Sequence, residues 1–295
     1  MVCLAIKSSK LEAFFPILKI FKTKNELTAF LNTFDSEKSV GFTPTMGALH
    51  SGHLQLIESS KRECDISICS IFVNPTQFNN SGDLEKYPNT LKSDLEKLKK
   101  VNCDIVYTPT IDDLYAKEEK AKEFNFGSLA ALMEGEYRPG HFNGMATIVE
   151  KFFNIINPTK AFFGQKDLQQ LQIVKALVKQ MQSDIEIIGI PTIREGNGLA
   201  KSSRNSLLSA NAKTEALLIS KCLNFCTENK NLGISELQKY IKSAFEKSRN
   251  LKLEYVEFVS LNQMKEIKEW EAENQSAVCI AAYIYGVRLI DNIIL

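Results

Sequence analysis

The segment Thr45-Met46-Gly47-Ala48-Leu49-His50-Ser51-Gly52-His53 places two imidazoles and two glycines where an apolar run, Val40-Gly41-Phe42, gives way to a helical pattern at Leu54, Leu56 and Ile57. Such a turn suits phosphate, because the N–H groups that open a helix lack intrahelical partners and the macrodipole adds roughly half a positive charge there. His50 and His53, three residues apart, can face one anion lying across the helix start, and either becomes a double donor when protonated. Gly47 and Gly52 let the backbone approach a ligand. The chain has only three histidines, and two of them sit in this turn. Taken alone, the segment also fits a glycine-rich loop with surface histidines. The strand before it and the helix after it favour a nucleotide site.

Other polar groups are candidates for the same chemistry. Gly198-Leu199-Ala200-Lys201-Ser202-Ser203-Arg204-Asn205 sets hydroxyls beside a guanidinium and an ammonium, which suits a clamp on phosphate oxygens. Lys166-Asp167 ends an apolar run and opens a helix bearing Gln169 and Gln170, and Asn74 and Gln77 flank Pro75 after another apolar run. Arg138-Pro139-Gly140-His141-Phe142 holds the third histidine. Singly, each fits ordinary capping or turn chemistry.

These groups need a scaffold, and the patterning supplies one. Val40–Phe42, Ile66–Val73, Asp104–Tyr107, Ala161–Phe163 and Ile185–Ile190 are β-branched or aromatic, nearly continuous runs. Between them, His53–Cys64, Leu91–Lys100, Met145–Ile156 and Leu168–Gln180 carry apolar residues at three- and four-residue spacing. The alternation predicts an α/β fold, a Rossmann-like parallel sheet with helices on both faces, whose ligands bind beyond the carboxyl ends of the strands. The candidate polar groups fall at those ends. After Arg204, two Lys- and Glu-rich helices (Ala210–Glu228, Ile234–Arg249) and three strands (Leu253–Ser260, Ala277–Tyr283, Val287–Asn292) predict a smaller α+β domain. The expected division is an N-terminal extension over 1–19, a nucleotide- and substrate-binding domain over 20–191, and a lid over 192–295, hinged near Glu195-Gly196-Asn197-Gly198.

The chain of 295 residues is 44% hydrophobic and 24% charged, ordinary for a globular protein, and its 36 basic and 35 acidic side chains leave a net charge of +1. No global field recruits nucleic acid or anionic membrane, so any anion site must be local. The seven cysteines are odd in number, scattered, and form no C-x-x-C pair. They read as reduced core residues of a cytoplasmic protein, with neither a disulfide nor a metal site at Cys222 and Cys226. The apolar stretch Leu11–Phe21 contains Glu12 and Lys19 and lacks a small-residue cleavage site, and no span reaches transmembrane length.

In combination the motifs are specific. The runs Gly41–His53, Ser70-Ile71-Phe72-Val73-Asn74-Pro75-Thr76-Gln77-Phe78, Tyr87-Pro88, Arg138–Gly144, Phe163–Gln170, Ile193-Arg194-Glu195, Ser202–Asn205 and Arg288–Asp291 resemble, in order and spacing, the pantothenate synthetases. These are pantoate–β-alanine ligases of the nucleotidyltransferase superfamily that carries the His-x-Gly-His signature. The resemblance covers the chain from about Phe21 onward.

What it implies is laid on this sequence residue by residue. ATP would lie along Met46, Gly47, Ala48, Leu49, His50, Ser51, Gly52 and His53, with His53 as a proton donor. Gly164, Gln165, Lys166, Asp167, Ile193, Lys201, Ser202, Ser203 and Arg204 would complete its site. His53, His50, Lys166 and Arg204 would be the catalytic residues. Asn74, Gln77 and Gln170 would hold pantoate, Gln77 would also lie near β-alanine, and Arg138, His141 and Tyr87 would join the substrate-binding set. Mg²⁺ would bridge phosphates with help from Asp94. The products would be pantothenate, AMP and pyrophosphate, by way of a pantoyl adenylate, in a cytoplasmic homodimer with no nucleic-acid or membrane partner. Two positions depart from the family pattern, Asn89 in place of arginine and Lys201 in place of methionine. The competing readings are another adenylyl transferase of the same fold, lacking the Gln77 and Gln170 pair, and a synthetase-derived RNA-binding module, disfavoured by the near-neutral charge.

Overall fold

The β-branched runs pair with one another as continuous apolar strands must, buried on both faces of a parallel sheet. The computed structural model describes residues 18–78, 81–85, 87–271 and 275–295. Its first sheet has six strands, β1 (Lys19–Phe21), β2 (Val40–Thr45), β3 (Ile66–Ile71), β4 (Ile105–Tyr107), β5 (Lys160–Gly164) and β6 (Glu186–Ile190), in the order β1-β4-β3-β2-β5-β6. All five pairings are parallel. The main crossover helices are α1 (Lys24–Leu31), α2 (Ser51–Glu63), α3 (Leu91–Lys100), α4 (His141–Ile156) and α5 (Leu168–Gln180).

Period-two alternation sorts side chains to the two faces. Phe42, Ile68, Ile105 and Tyr107 pack with Leu27 of α1, Phe152 and Phe153 of α4 and Val174 of α5. On the opposite face Cys69 and Val106 meet Ile57 of α2 and Leu98 of α3, and Phe162 meets Leu56 of α2. The predicted helices on both faces are thus present. One strand was not separated in the sequence: Lys19–Phe21, which straddles the expected boundary between residues 19 and 20, pairs with β4 at the sheet edge. Three residues are too few to show a period. Residues 1–17 of that extension lie outside the described residues.

The C-terminal part contains α6 (Ala210–Glu228), α7 (Ile234–Glu246) and an antiparallel sheet of β7 (Leu251–Ser260), β8 (Ser276–Ile284) and β9 (Val287–Ile294). Antiparallel sheets can leave one face wet, but this one is covered on both. Val278, Ile280, Ala282 and Ile284 pack under α6 and α7 against Leu223, Leu237, Ile241 and Phe245. Ala277, Cys279 and Ala281, on the other face, pack with Met133 and Leu168 from the first part of the chain. That second face brings β9 against the turn between β5 and α5.

Candidate active site

The strand order changes direction at β2: the chain leaves β2 for β3 on one side, while β5 lies on the other. Such a switch point opens a crevice at the carboxyl ends of the two strands. The His50–His53 turn follows β2 and the Gln165–Asp167 turn follows β5.

At the start of α2 the histidines cap the helix and each other. His50 is the N-cap, and its Nδ1 accepts the Gly52 N–H at 3.1 Å, while the His50 N–H donates to His53 Nδ1 at 3.3 Å. This is a reciprocal capping box built from imidazoles. The rings stack at a centroid distance of 4.0 Å. A Cβ at position 52 would sit 2.9 Å from the His50 ring, so the neighbouring ring itself favours glycine there. With both Nδ1 atoms accepting, the proton of each neutral ring belongs on Nε2. Burial, followed by Lys166 and Lys201, lowers the His50 pKa to about 4. Burial, His50 and Lys166 hold His53 well below its ordinary value. Each ring is therefore a single N–H donor at neutral pH.

The rest of the turn is held from behind. Both oxygens of Asp94, on α3, accept backbone N–H groups, from Ala48 and Leu49 at 2.9 Å each. Thr90 Oγ1 adds a third bond at 2.9 Å. Ala48 has φ of +49°, a left-handed conformation that costs an L-residue roughly 1–2 kcal/mol, and Asp94 clamps it. The Gly47 N–H donates to Thr45 Oγ1 at 3.2 Å.

The cleft has a volume of about 220 Å³, and Met46, His50, Gly52, His53, Gly164, Lys166, Asp167 and Ile193 line it. So do Lys201, Ser202, Ser203 and Arg204 from the segment before α6. Ser203 Oγ donates to the Ala48 carbonyl at 3.1 Å, which ties the two segments. Lys166 Nζ stands 3.4 Å from Asp167 Oδ1, and Lys201 Nζ pairs with Glu195 at 2.8 Å.

Asn74, Gln77, Tyr87 and Gln170 line the same cleft. The Asn74 amide is wholly engaged: Nδ2 donates to Gln77 Oε1 and the Gly144 carbonyl, and Oδ1 accepts from Tyr115 and Thr76. Gln77 Nε2 contacts Met46 Sδ at 2.9 Å. A Cβ on Gly144 would lie 2.1 Å from the Thr76 carbonyl, so that glycine lets α4 press against the Gln77 turn. Gln170 makes no hydrogen bond through its amide among the described residues and lines both this cleft and a smaller chamber of about 90 Å³.

Arg138 and His141 lie in the smaller chamber. His141 Nδ1 donates to the Gln77 carbonyl at 2.9 Å, and Nε2 faces Arg138 Nη1 at 3.1 Å. Burial, then Arg138, lowers the His141 pKa to about 4, so Nε2 accepts. Behind it, Glu134 takes two bonds from Arg288 at 2.8 and 2.6 Å and one from Tyr255 at 2.8 Å. Burial would raise the Glu134 pKa, but the Arg288 guanidinium outweighs it and holds the group at about 2.

A family model described as Pantoate-beta-alanine ligase matches residues 19–294. Curated pantothenate synthetases from Phocaeicola vulgatus and Christiangramia forsetii are 44% and 43% identical, each alignment covering 94% of this chain and 99% of the relative. The chain belongs to the pantoate–β-alanine ligase family. The solved pantothenate synthetase of Thermus thermophilus superposes with a TM-score of 0.86 at 34% identity, covering 93% of this chain and 98% of that one. The Pantoate-beta-alanine Ligase of Francisella tularensis, solved in complex with Beta-gamma ATP and Beta-alanine, gives 0.77 at 35%, covering 94% and 97%. The chain is therefore an enzyme, a ligase of pantothenate biosynthesis.

The ligase cleft gathers most of the residues expected from sequence, with five revisions. The expected free N–H groups of Gly47, Ala48, Leu49, His50 and Gly52 already have partners inside the protein. Leu49 is a core residue and Ser51 is exposed, while Gln165 offers its carbonyl to Asn292. Asn74 orients Gln77. His141 spends its bonding capacity inside the wall, and Asp94 does not fit as a metal ligand, being fully buried with both oxygens accepting N–H groups. Among the described residues no group of three or more His, Cys, Asp or Glu side chains could hold a metal. Cys222 and Cys226 are buried thiols pushed up to about 11 and about 12. The helix start marks the turn in the sequence. Nothing local shows that Asp94, 46 and 45 residues away from its two partners, takes the donors.

Proposed function

We propose that this ligase condenses pantoate with β-alanine at the expense of ATP, through a pantoyl adenylate, and releases AMP and pyrophosphate. A carboxylate oxygen of pantoate attacks the α-phosphorus, and the bond from that phosphorus to the pyrophosphate oxygen breaks. The unprotonated amine of β-alanine then attacks the acyl carbon of the mixed anhydride, the bond to AMP breaks, and the nitrogen gives up one proton to solvent. The observation that carries this reading is the convergence of His50, His53, Lys166 and Arg204 on one cleft that Gln77 and Gln170 also line. Negative charge accumulates on the departing pyrophosphate, and preorganised donors in a water-poor site stabilise it without covalency. His50 and His53 would donate hydrogen bonds from Nε2 to the phosphate oxygens, whose negative charge favours protonation of the rings.

Gln77 and Gln170 would hold pantoate, with Tyr87 beside them, and Lys166, Lys201, Ser202, Ser203 and Arg204 would clamp the phosphates. ATP and β-alanine as substrates are supported by the complex of the Francisella tularensis relative. The nucleotide would enter as its Mg²⁺ salt, the metal carried on its own phosphates. Residues 192–295 would act as a lid on residues 20–191, in a cytoplasmic homodimer.

The test is pyrophosphate exchange. With ATP, Mg²⁺ and pantoate but no β-alanine, labelled pyrophosphate is expected to enter ATP, and only when pantoate is present. Adding β-alanine is expected to release AMP. Formation of ADP, or no exchange in an enzyme that makes pantothenate, would overturn the adenylate.

A further inference from the structure

Asn292 on β9 lies outside the motifs that mark the cleft, yet its side chain reaches the turn that carries Lys166. Its Nδ2 group donates to the carbonyl oxygens of Gln165 at 3.0 Å and Lys166 at 2.8 Å. Those carbonyls belong to the two peptide planes on either side of the Lys166 Cα. Because each peptide is planar, holding both planes sets φ and ψ of Lys166, and with them the direction in which its side chain leaves the backbone. The turn itself is one short 3₁₀ segment, Gln165–Asp167, whose N-cap residue Gly164 supplies no side-chain bond.

Asn292 is itself braced. Its N–H donates to Asp291 Oδ1 at 2.8 Å, and it pairs in register with Cys279 of β8. Asp291 receives Arg194 Nη1 and Nη2 at 2.6 and 3.0 Å, and Arg194 Nη2 also reaches the Asn292 carbonyl at 3.4 Å. Arg194 adjoins Ile193, whose carbonyl accepts the Lys201 N–H at 2.9 Å. One buried point on the C-terminal sheet thus meets both banks of the cleft, the Lys166 turn and the segment leading to Ser202–Arg204.

We propose that Asn292 is a positioning residue that sets the Lys166 ammonium against the phosphates through the backbone of its turn. The inference rests on the role proposed above for Lys166. A bond that merely stabilised the seam would lower rate and stability whether or not residue 166 carried an amine. A positioning bond loses its effect on rate when the amine is gone.

The experiment is a double-mutant cycle in the full chain: native, Asn292→Ala, Lys166→Ala and the double variant. It is read as pantothenate formation at saturating substrates, with the KM for pantoate alongside. Asn292→Ala is expected to lower kcat roughly 10- to 100-fold in the native background, as displacements of about 1 Å do, with KM for pantoate within about twofold. In the Lys166→Ala background it is expected to change kcat less than about threefold, the non-additivity of coupled residues. Equal fractional losses in both backgrounds, or native kcat in a folded Asn292→Ala enzyme, would overturn the proposal. If Asn292→Ala does not fold, Asn292→Asp, which keeps the shape and offers no donor, goes through the same cycle with the same outcomes deciding. Native kcat in Lys166→Ala alone would remove the Lys166 role and this inference with it. Pantothenate formation without pyrophosphate exchange would count against the adenylate only and leave the cycle readable.

Discussion

The three histidines occupy two regions that use the imidazole in opposite ways. At the start of α2, His50 and His53 line the cleft and accept through Nδ1, which leaves the proton of each neutral ring on Nε2. In the wall of the smaller chamber, His141 donates through Nδ1 and accepts through Nε2. The first pair keeps one donor each for a ligand, while the third is consumed in holding the Gln77 carbonyl and Arg138. Burial lowers the pKa in all three cases, so the difference lies in hydrogen-bond direction and not in charge. A helix N-terminus facing a crevice leaves the ring tip free, whereas a ring set between a carbonyl and a guanidinium has no atom left over.

The largest effect that tests this contrast is on turnover. His53→Ala and Lys166→Ala are each expected to lower kcat about 100- to 1,000-fold, the typical cost of one preorganised charge stabiliser; Lys166→Ala should leave the unfolding midpoint nearly unchanged, while His53→Ala also removes its half of the helix cap, a loss of about 0.5–2 kcal/mol. A folded His53→Ala enzyme with near-native kcat would break the assignment of the α2 pair. His141→Ala is expected to show the reverse pattern. It should cost about 1–3 kcal/mol of stability in urea unfolding, because the Gln77 carbonyl and Arg138 lose a buried partner, with kcat falling less than His53→Ala. Asp94→Ala sharpens the comparison from behind the turn. It strands the Ala48 and Leu49 N–H groups and should destabilise by about 1–3 kcal/mol, and turnover should fall as Ala48 leaves its left-handed conformation. Unchanged stability would mean that Asp94 does not hold the turn.

The dependence of stability on pH has a fixed sign. All three histidines have folded pKa values below 6.5, with His50 and His141 near 4, so between those values the unfolded chain binds more protons. Their contribution is complete above pH 6.5 and is lost as pH falls toward about 4. The unfolding midpoint should drop across that window, and His141→Gln should flatten part of the drop. A midpoint independent of pH there would contradict the lowered values. The smallest expected effect is at Lys201, whose ammonium is paired with Glu195. Lys201→Met should weaken ATP binding about tenfold or less, as befits a partly exposed charge, and leave pantoate affinity unchanged in calorimetric titration.

Much of the scaffold was legible because its signals are local. The runs at Ile66, Asp104, Ala161 and Ile185 became β3, β4, β5 and β6, and the three- and four-residue spacings at Leu91 and Leu168 became α3 and α5 with those starting residues. Helix α4 begins at His141, four residues before the predicted Met145, because the Arg138–Gly140 turn rather than apolar spacing opens it. The edge strand Lys19–Phe21 was not separable, since its pairing with β4 joins residues 86 apart, Lys19 to Ile105.

By itself the sequence determined the α/β alternation, the turn with two histidines after β2, and the polar groups at the strand ends, because spacing along a chain dictates which residues share a turn or a face. Only the tertiary structure decided what those groups do with their hydrogen bonds. Asp94 meets Ala48, Arg288 meets Glu134 across 154 residues, and Asn292 meets Lys166 across 126. Partners so distant in sequence are brought together by tertiary packing, and no local pattern encodes which buried backbone group a carboxylate or amide will meet. The family motifs identify the residues of the cleft; the fold determines which of them keep a free donor for the substrate and which hold the others in place.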